Sequence, residues 1–304
     1  MRASPFMIVG SLLVGWATLA GTAGCGKRPL RLEDRLAKAM DQAPGPGRAK
    51  DLLAVARRQA AADDRVGAHD TITVAYNDVS AGSEESVATL LEVAQAYIDV
   101  DERRTARTVL NRVAEIAKAI DDPGRKAKAL ADAGALFGNA DTGMADPQQA
   151  RALLGEATTL AEEVDDRFRA EALAVVAMGY VSGGMAEEAG TMVEKLEACL
   201  VALSDPRAKA EALAAASSVY AKTGNEEKAK ALLADAASTA KGVDRAESKA
   251  YALLAVANAT ATSGDTAAAR KLLDEADAAA GKVGDPDAQA TAMKLIRNAM
   301  SRLK

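Results

Sequence analysis

Three stretches of this chain are copies of one another. FRAEALAVVAMGYVSGGMAEEA (168–189), AKAEALAAASSVYAKTGNEEKA (208–229) and SKAYALLAVANATATSGDTAAA (248–269) align without a gap. Leu173, Leu213, Leu253 and Met293 fall on one register with a step of 40 residues, and Gly184, Gly224 and Gly264 keep the same step, as do Ala189, Ala229 and Ala269. A unit of this length is too small to bury an apolar face alone, so successive units must stack. The pattern continues upstream. Leu90 is followed 16 residues later by Ala106, and Leu52 by Ala68, whereas Leu130 and Ala150 stand 20 apart, which marks a four-residue insertion around Asp141–Pro147. The repeats therefore predict six helix pairs and a closing helix from Asp287 to about Arg302.

Within a unit both halves carry helical periodicity. Leu213, Ala216, Ser217 and Tyr220 lie at i, i+3, i+4 and i+7, one stripe of a helix, and Ala229, Leu232, Leu233 and Ala236 form a second. Gly224 sits where a left-handed cap closes the first helix. Asn225 is placed to cap the second, with Glu226 and Glu227 in its electropositive first turn. Asp122-Pro123, Asp205-Pro206 and Asp285-Pro286 occupy matching places between units, where Asp as N-cap and Pro as first helical residue signal a start. Tyr97, Phe137, Tyr180 and Tyr220 all lie seven residues after the leading apolar residue, which predicts one repeated packing position. Upstream, Leu30 to Met40 reads as one further short helix, and Ala43-Pro44-Gly45-Pro46-Gly47 breaks the chain before a repeat domain of 49–304.

Leu213, Ala216, Ser217, Tyr220, Gly224, Ala229, Leu233 and Ala236 resemble, in order and spacing, the signature of the tetratricopeptide repeat. The period departs from the ~34 residues of that family and is nearer the ~40–47 of HEAT-like repeats, the alternative. Either implies an all-α fold, an α-solenoid. The resemblance implies a concave groove for a protein or peptide partner, lined by first-helix positions outside the packing stripe. The groove residues so assigned are Met178, Val181, Tyr251 and Leu254, which are apolar, with Lys222 and Asn258. The Lys/Asn carboxylate clamp of the chaperone-binding members would need several more basic and Asn side chains than Lys222 and Asn258.

The N-terminus follows a different logic. Arg2 precedes an apolar stretch from about Pro5 to Ala20 and then Gly21, Thr22, Ala23 and Gly24, the layout of a secretory signal. The stretch is shorter than the ~20 residues of a spanning helix. Thr22-Ala23-Gly24-Cys25 resembles the bacterial lipobox. That resemblance implies removal of residues 1–24, lipid on Cys25, and 25–48 as a lipid-anchored linker. The chain would then face the periplasm of a bacterial cell envelope, at the outer membrane rather than the inner; cleavage near Ala20 or Ala23 would instead give a soluble secreted protein. Gly21 to Lys27 also fits the start of a phosphate-binding loop, but the next residue is Arg28, so the hydroxyl that would hold Mg²⁺ is missing.

Composition narrows function further. Aromatics are 3% of residues and the net charge is −5, which argues against a base-stacking or phosphate-tracking surface and hence against nucleic acid. His69 is the single histidine and Cys199 the only cysteine besides Cys25, so neither a multi-histidine metal site nor a structural disulfide is expected. Glu162-Glu163, Asp165-Asp166 and Glu187-Glu188 sit beside expected helix ends, where solvation and capping account for them. Asn258-Ala259-Thr260 matches a glycosylation sequon but falls inside an expected helix. The expectation is a non-catalytic, lipid-anchored interaction scaffold without cofactor, metal or small-molecule substrate; the alternative is a structural or glycan-associated envelope spacer.

Overall fold

The computed structural model describes residues 31–80, 82–139 and 143–303. The expected signal segment and Cys25 lie outside the described residues. A short helix α1 (Leu32–Met40) packs on the first of six helix pairs. These are α2 (Pro46–Ala61) with α3 (Arg65–Val79), α4 (Val87–Asp99) with α5 (Arg103–Lys118), and α6 (Pro123–Gly138) with α7 (Pro147–Glu163). They continue as α8 (Asp166–Ser182) with α9 (Ala186–Leu200), α10 (Pro206–Lys222) with α11 (Glu226–Lys241), and α12 (Ala246–Thr262) with α13 (Thr266–Ala280). The closing helix α14 (Pro286–Arg302) starts one residue before the expected Asp287, because Pro286 itself takes the first helical position. For the same reason α2 starts inside the Pro/Gly segment, at Pro46.

The stacking rule is uniform. First helices pack on first helices (α2, α4, α6, α8, α10, α12, α14), forming one continuous layer. Each second helix packs on its own first helix and on the first helix of the next unit. The result is an all-α, tetratricopeptide-like solenoid in which the first-helix layer keeps one face free of the second helices.

Small residues make the close crossings. Ala68, Ala106, Ala150, Ala189, Ala229 and Ala269, the repeated alanines, are all fully buried or nearly so. Opposite Ala229, the buried Ser217 donates its hydroxyl to the Ala229 carbonyl at 2.8 Å, so a polar side chain at the tightest point is satisfied. In the third pair the equivalent residue is Gly134, where an added Cβ would lie 2.9 Å from Leu154 Cγ and 3.3 Å from the Ala150 carbonyl oxygen. Leu213 and Tyr220 are buried as the stripe predicts, whereas Leu232 and Leu233 are only partly covered. Second helices form the outer layer, and one flank of each stays near solvent.

Except in the third unit, the turn between the paired helices is a Schellman cap. Asn225 N–H donates to the Tyr220 carbonyl at 2.9 Å and Gly224 N–H to Ala221 at 3.4 Å, with Gly224 at φ 89°. Met185 and Gly184, and Asp265 and Gly264, repeat this geometry. In the first two units the left-handed position is held by Asp63 (φ 63°) and Asp101 (φ 69°). In the third unit α6 ends instead at Asn139 in an extended conformation, and Asp146 N–H donates to the Phe137 carbonyl at 2.8 Å. Side chains of Asp64, Asp122, Asp146, Asp205, Asn225, Asp265 and Asp285 cap the helices that follow them.

The aromatic register is a packing register, since Tyr97, Phe137, Tyr180 and Tyr220 are all buried. The Tyr97 hydroxyl shares a 3.0 Å hydrogen bond with Thr73 of α3, and that of Tyr180 a 3.4 Å one with Thr158 of α7. Lys228 donates to Tyr220 Oη at 2.6 Å and to Glu197 at 2.8 Å, joining α9, α10 and α11. Glu197 first, and then Tyr220, raise the Lys228 pKa.

Candidate functional site

The residues expected to line the groove all lie on first helices. Met178 and Val181 are in the last turns of α8, Lys222 ends α10, and Tyr251, Leu254 and Asn258 run along α12. Met178, Val181, Tyr251 and Leu254 are half-buried and pack against the core. Lys222 and Asn258 are exposed. Helix α10 stands between α8 and α12, so these residues form two patches joined by the intervening surface of α10.

Two of the six have a defined setting. The Arg207 guanidinium of α10 sits 4.8 Å from the Tyr251 ring centre and donates through Nε to Glu211 at 2.8 Å, so a cation covers the tyrosine across adjacent first helices. Lys222 borders a shallow cavity of about 250 Å³ between the ends of α10 and α12, with Lys230, Glu226, Thr262 and Ser263. Both hydroxyls are already donated to backbone carbonyls, from Thr262 to Asn258 and from Ser263 to Thr260.

A larger cavity, about 500 Å³, lies elsewhere on the first-helix layer, between the N-terminal ends of α6 and α8. Val164, Ala172 and Val175 give it an apolar lining, and Phe168 stands at its edge. Phe168 is 50% exposed, an aromatic outside the repeated packing position, five residues before Leu173. The corresponding residues of other units are Arg125, Ala208 and Ser248, so the sequence signal for this cavity is a break in the repeat at Phe168, which periodicity passes over because it looks for what recurs.

The remaining reactive types are accounted for by structure. His69 lies on α3 with its ring edge-on to Tyr97 at a 5.8 Å centroid distance and Nδ1 3.9 Å from Glu102. Glu162 pairs with Lys195, and Glu188 with Arg151 at 2.9 Å. The Glu188 carboxyl is held below the usual range by its own backbone N–H and by Arg151. Asp146 is lowered in the same way, first by the Gln149 N–H it caps and then by Arg107. Among the described residues no group of His, Cys, Asp and Glu is arranged to hold a metal ion, and no helix is long and apolar enough to cross a membrane.

No family profile matches the chain, and no curated protein matches it. Among solved structures it is similar to TPR-like repeats of a putative kinesin light chain from Podosopora anserina, with 19% identity and a TM-score of 0.41 over 65% of this chain and 97% of that one. A single-substitution variant of those repeats gives 18% identity and 0.42 over 64% and 95%. A Rap protein complexed with Competence and Sporulation Factor is similar at 14% identity, with a TM-score of 0.40 over 89% of this chain and 80% of that one.

Proposed function

We propose that this protein is a non-catalytic scaffold that binds a protein or peptide along the free face of its first-helix layer. The observation that carries this is the layer itself: seven first helices stack without interruption, and half-buried apolar side chains such as Met178, Val181, Tyr251 and Leu254 recur on it beside exposed Lys222 and Asn258. Such a surface offers apolar anchors with a polar rim, which suits an extended or helical segment. Read with the lipobox-like Thr22–Cys25, the scaffold is held in a bacterial cell envelope by lipid on Cys25 and faces the periplasm, at the outer membrane.

Two measurements test the two halves separately. Mass spectrometry of the mature N-terminus should find Cys25 as an acylated first residue; an unmodified terminus would remove the membrane from the proposal. A detergent pull-down should recover the same defined proteins in repeat preparations. Recovery of wall polymer without a protein would favour the spacer reading instead.

A further inference from the structure

We propose that the α1 end of the solenoid is a membrane-binding surface for anionic phospholipid, on which Arg31, Lys38, Lys50 and Arg58 meet headgroup phosphates. This rests on the reading that lipid on Cys25 anchors the chain, and it adds which part of the anchored solenoid lies against the bilayer.

Charge is unevenly divided along the chain. Residues 26–58 carry nine Lys and Arg against four Asp and Glu, and residues 282–304 carry five against two. The body between them, residues 59–281, carries 23 against 37. An anionic surface therefore repels the body and attracts the two ends. The anchor chooses between the ends. Six residue steps separate Cys25 from Arg31, so however that segment runs, α1 begins within about 20 Å of an acylated Cys25. So short a tether keeps the α1 end at high effective concentration beside the headgroups, where contacts that are weak in solution suffice. Held this way, the acidic body stands off the bilayer and its first-helix layer stays open to a partner.

The cations at this end are gathered on one side. Arg31, Arg35 and Lys38 lie at i, i+4 and i+7, one stripe along α1, while Leu36 and Ala39 pack into the core and Glu33, Asp34 and Asp41 fall outside the stripe. Arg58 of α2 joins Arg35 and Lys38 around a cavity of about 200 Å³ whose apolar lining is Ala39, Ala54 and Val55. Lys50 and Arg57 flank Ala54 on the same stripe of α2, four residues before it and three after. Asp51 is the one acidic residue at the cavity, and it accepts from Gln42 Nε2 at 2.6 Å. Arg57 pairs with Glu92 at 3.4 Å. Arg31, Lys38, Lys50 and Arg58 are exposed and have no side-chain hydrogen bond or ion pair among the described residues. Residues 1–30 contain no Asp or Glu, so the segment leading to the anchor holds nothing that could neutralise them. Headgroup phosphate is the complement within reach of the tether, since it is negative and each guanidinium can engage two of its oxygens.

The test uses the chain from Cys25 onward, made without acylation, and its sedimentation with vesicles of phosphatidylcholine alone or with about a third phosphatidylglycerol. Binding to the anionic vesicles should exceed binding to the neutral ones about tenfold and fall as salt is raised. The combined Lys38→Gln, Lys50→Gln and Arg58→Gln variant should lose that tenfold preference, with an unchanged thermal melt because all three side chains are exposed. A control variant, Arg104→Gln with Lys118→Gln and Lys271→Gln, removes as much positive charge from exposed sites of the body and should bind as the parent does. Equal loss in the control would reduce the attraction to net charge and overturn the proposal. Binding that survives in the α1-end variant would place the attraction elsewhere, the α14 end included, and would also overturn it. Inorganic phosphate at matched ionic strength should not displace the vesicles; displacement would make the cavity a site for a soluble anion and overturn the membrane assignment. Because this protein carries no lipid, failure here leaves the anchor standing, whereas an unmodified terminus in cells overturns the anchor.

Discussion

Gly224 has φ 89° and nothing within 4 Å of where a Cβ would sit, so any penalty for a side chain there is conformational rather than steric. Gly224→Val should therefore cost more than about 1 kcal/mol in chemical denaturation, and a smaller effect would mean the turn tolerates another path. Asp63 and Asp101 give the converse case. They hold the same left-handed position at φ 63° and 69°, where an L side chain is strained. Asp101→Gly should gain roughly 0.5–1 kcal/mol, less whatever its 2.8 Å ion pair with Arg103 contributes. The glycine caps of the later units are legible in the sequence because glycine is the residue such a turn selects. The two aspartate versions are not, since Asp also reads as a helix N-cap, which is the role of its neighbour Asp64.

Between helices the close crossings decide tolerance. An added Cβ on Gly138 would stand 2.5 Å from the Gly183 Cα, a backbone atom that cannot swing aside, so α6 and α8 would have to separate. Gly138→Ala should destabilise by about 1–3 kcal/mol. Gly155→Ala in α7 and Gly190→Ala in α9 meet nothing within 4 Å and should each gain up to ~1 kcal/mol of helix propensity. Thermal melts of the three variants would separate the first from the other two if the crossings are as described. The Asp caps carry a pH signature. Asp146 has its folded-state pKa below its ordinary value because it accepts the Gln149 N–H and pairs with Arg107. Its contribution is present above pH ~4, where the unfolded carboxyl is ionised, and is lost as the pH falls through the lower folded value. Asp146→Asn should therefore flatten that part of the acid-unfolding curve; an unchanged curve would mean the cap adds nothing. Helix count, pairing and most caps follow from spacing alone, since periodicity and N-cap chemistry are local. That Asp165 does not cap as Asp122, Asp205 and Asp285 do is a matter of side-chain orientation, which the letters Asp165-Asp166 do not reveal.

Over the whole molecule, the first-helix layer is packed throughout, whereas successive second helices are linked by long side chains. Glu162 reaches Lys195, Glu197 meets Lys228 at 2.8 Å, and Lys241 meets Glu275 at 3.0 Å, tying α7 to α9, α9 to α11 and α11 to α13. Such pairs are partly exposed and individually weak, so cohesion rests on the layer of first helices. Hydrogen exchange should then be slowest in α6, α7 and α8, where glycines 134, 138 and 179 allow the tightest approach, and fastest in α1 and α14, which have neighbours on one side only. Uniform protection along the chain would contradict a stack held by nearest neighbours. The proposed binding face can be read in the sequence only as a set of positions: the family resemblance points to first-helix residues off the packing stripe, of which Met178, Val181, Tyr251 and Leu254 are half-buried against the core. The cavity at Phe168 arises where the repeat fails, so no repeated position announces it.

That the free face of the first-helix layer holds a protein partner is tested most directly by crosslinking in living cells. A photo-crosslinking amino acid would be placed in turn at 178, 181, 222, 251, 254 and 258, and at the outward second-helix positions 235 and 274. One discrete adduct of the same mass is expected from the first-helix positions and none from 235 or 274. Adducts from neither set, or equally from both, would contradict a partner held on that face.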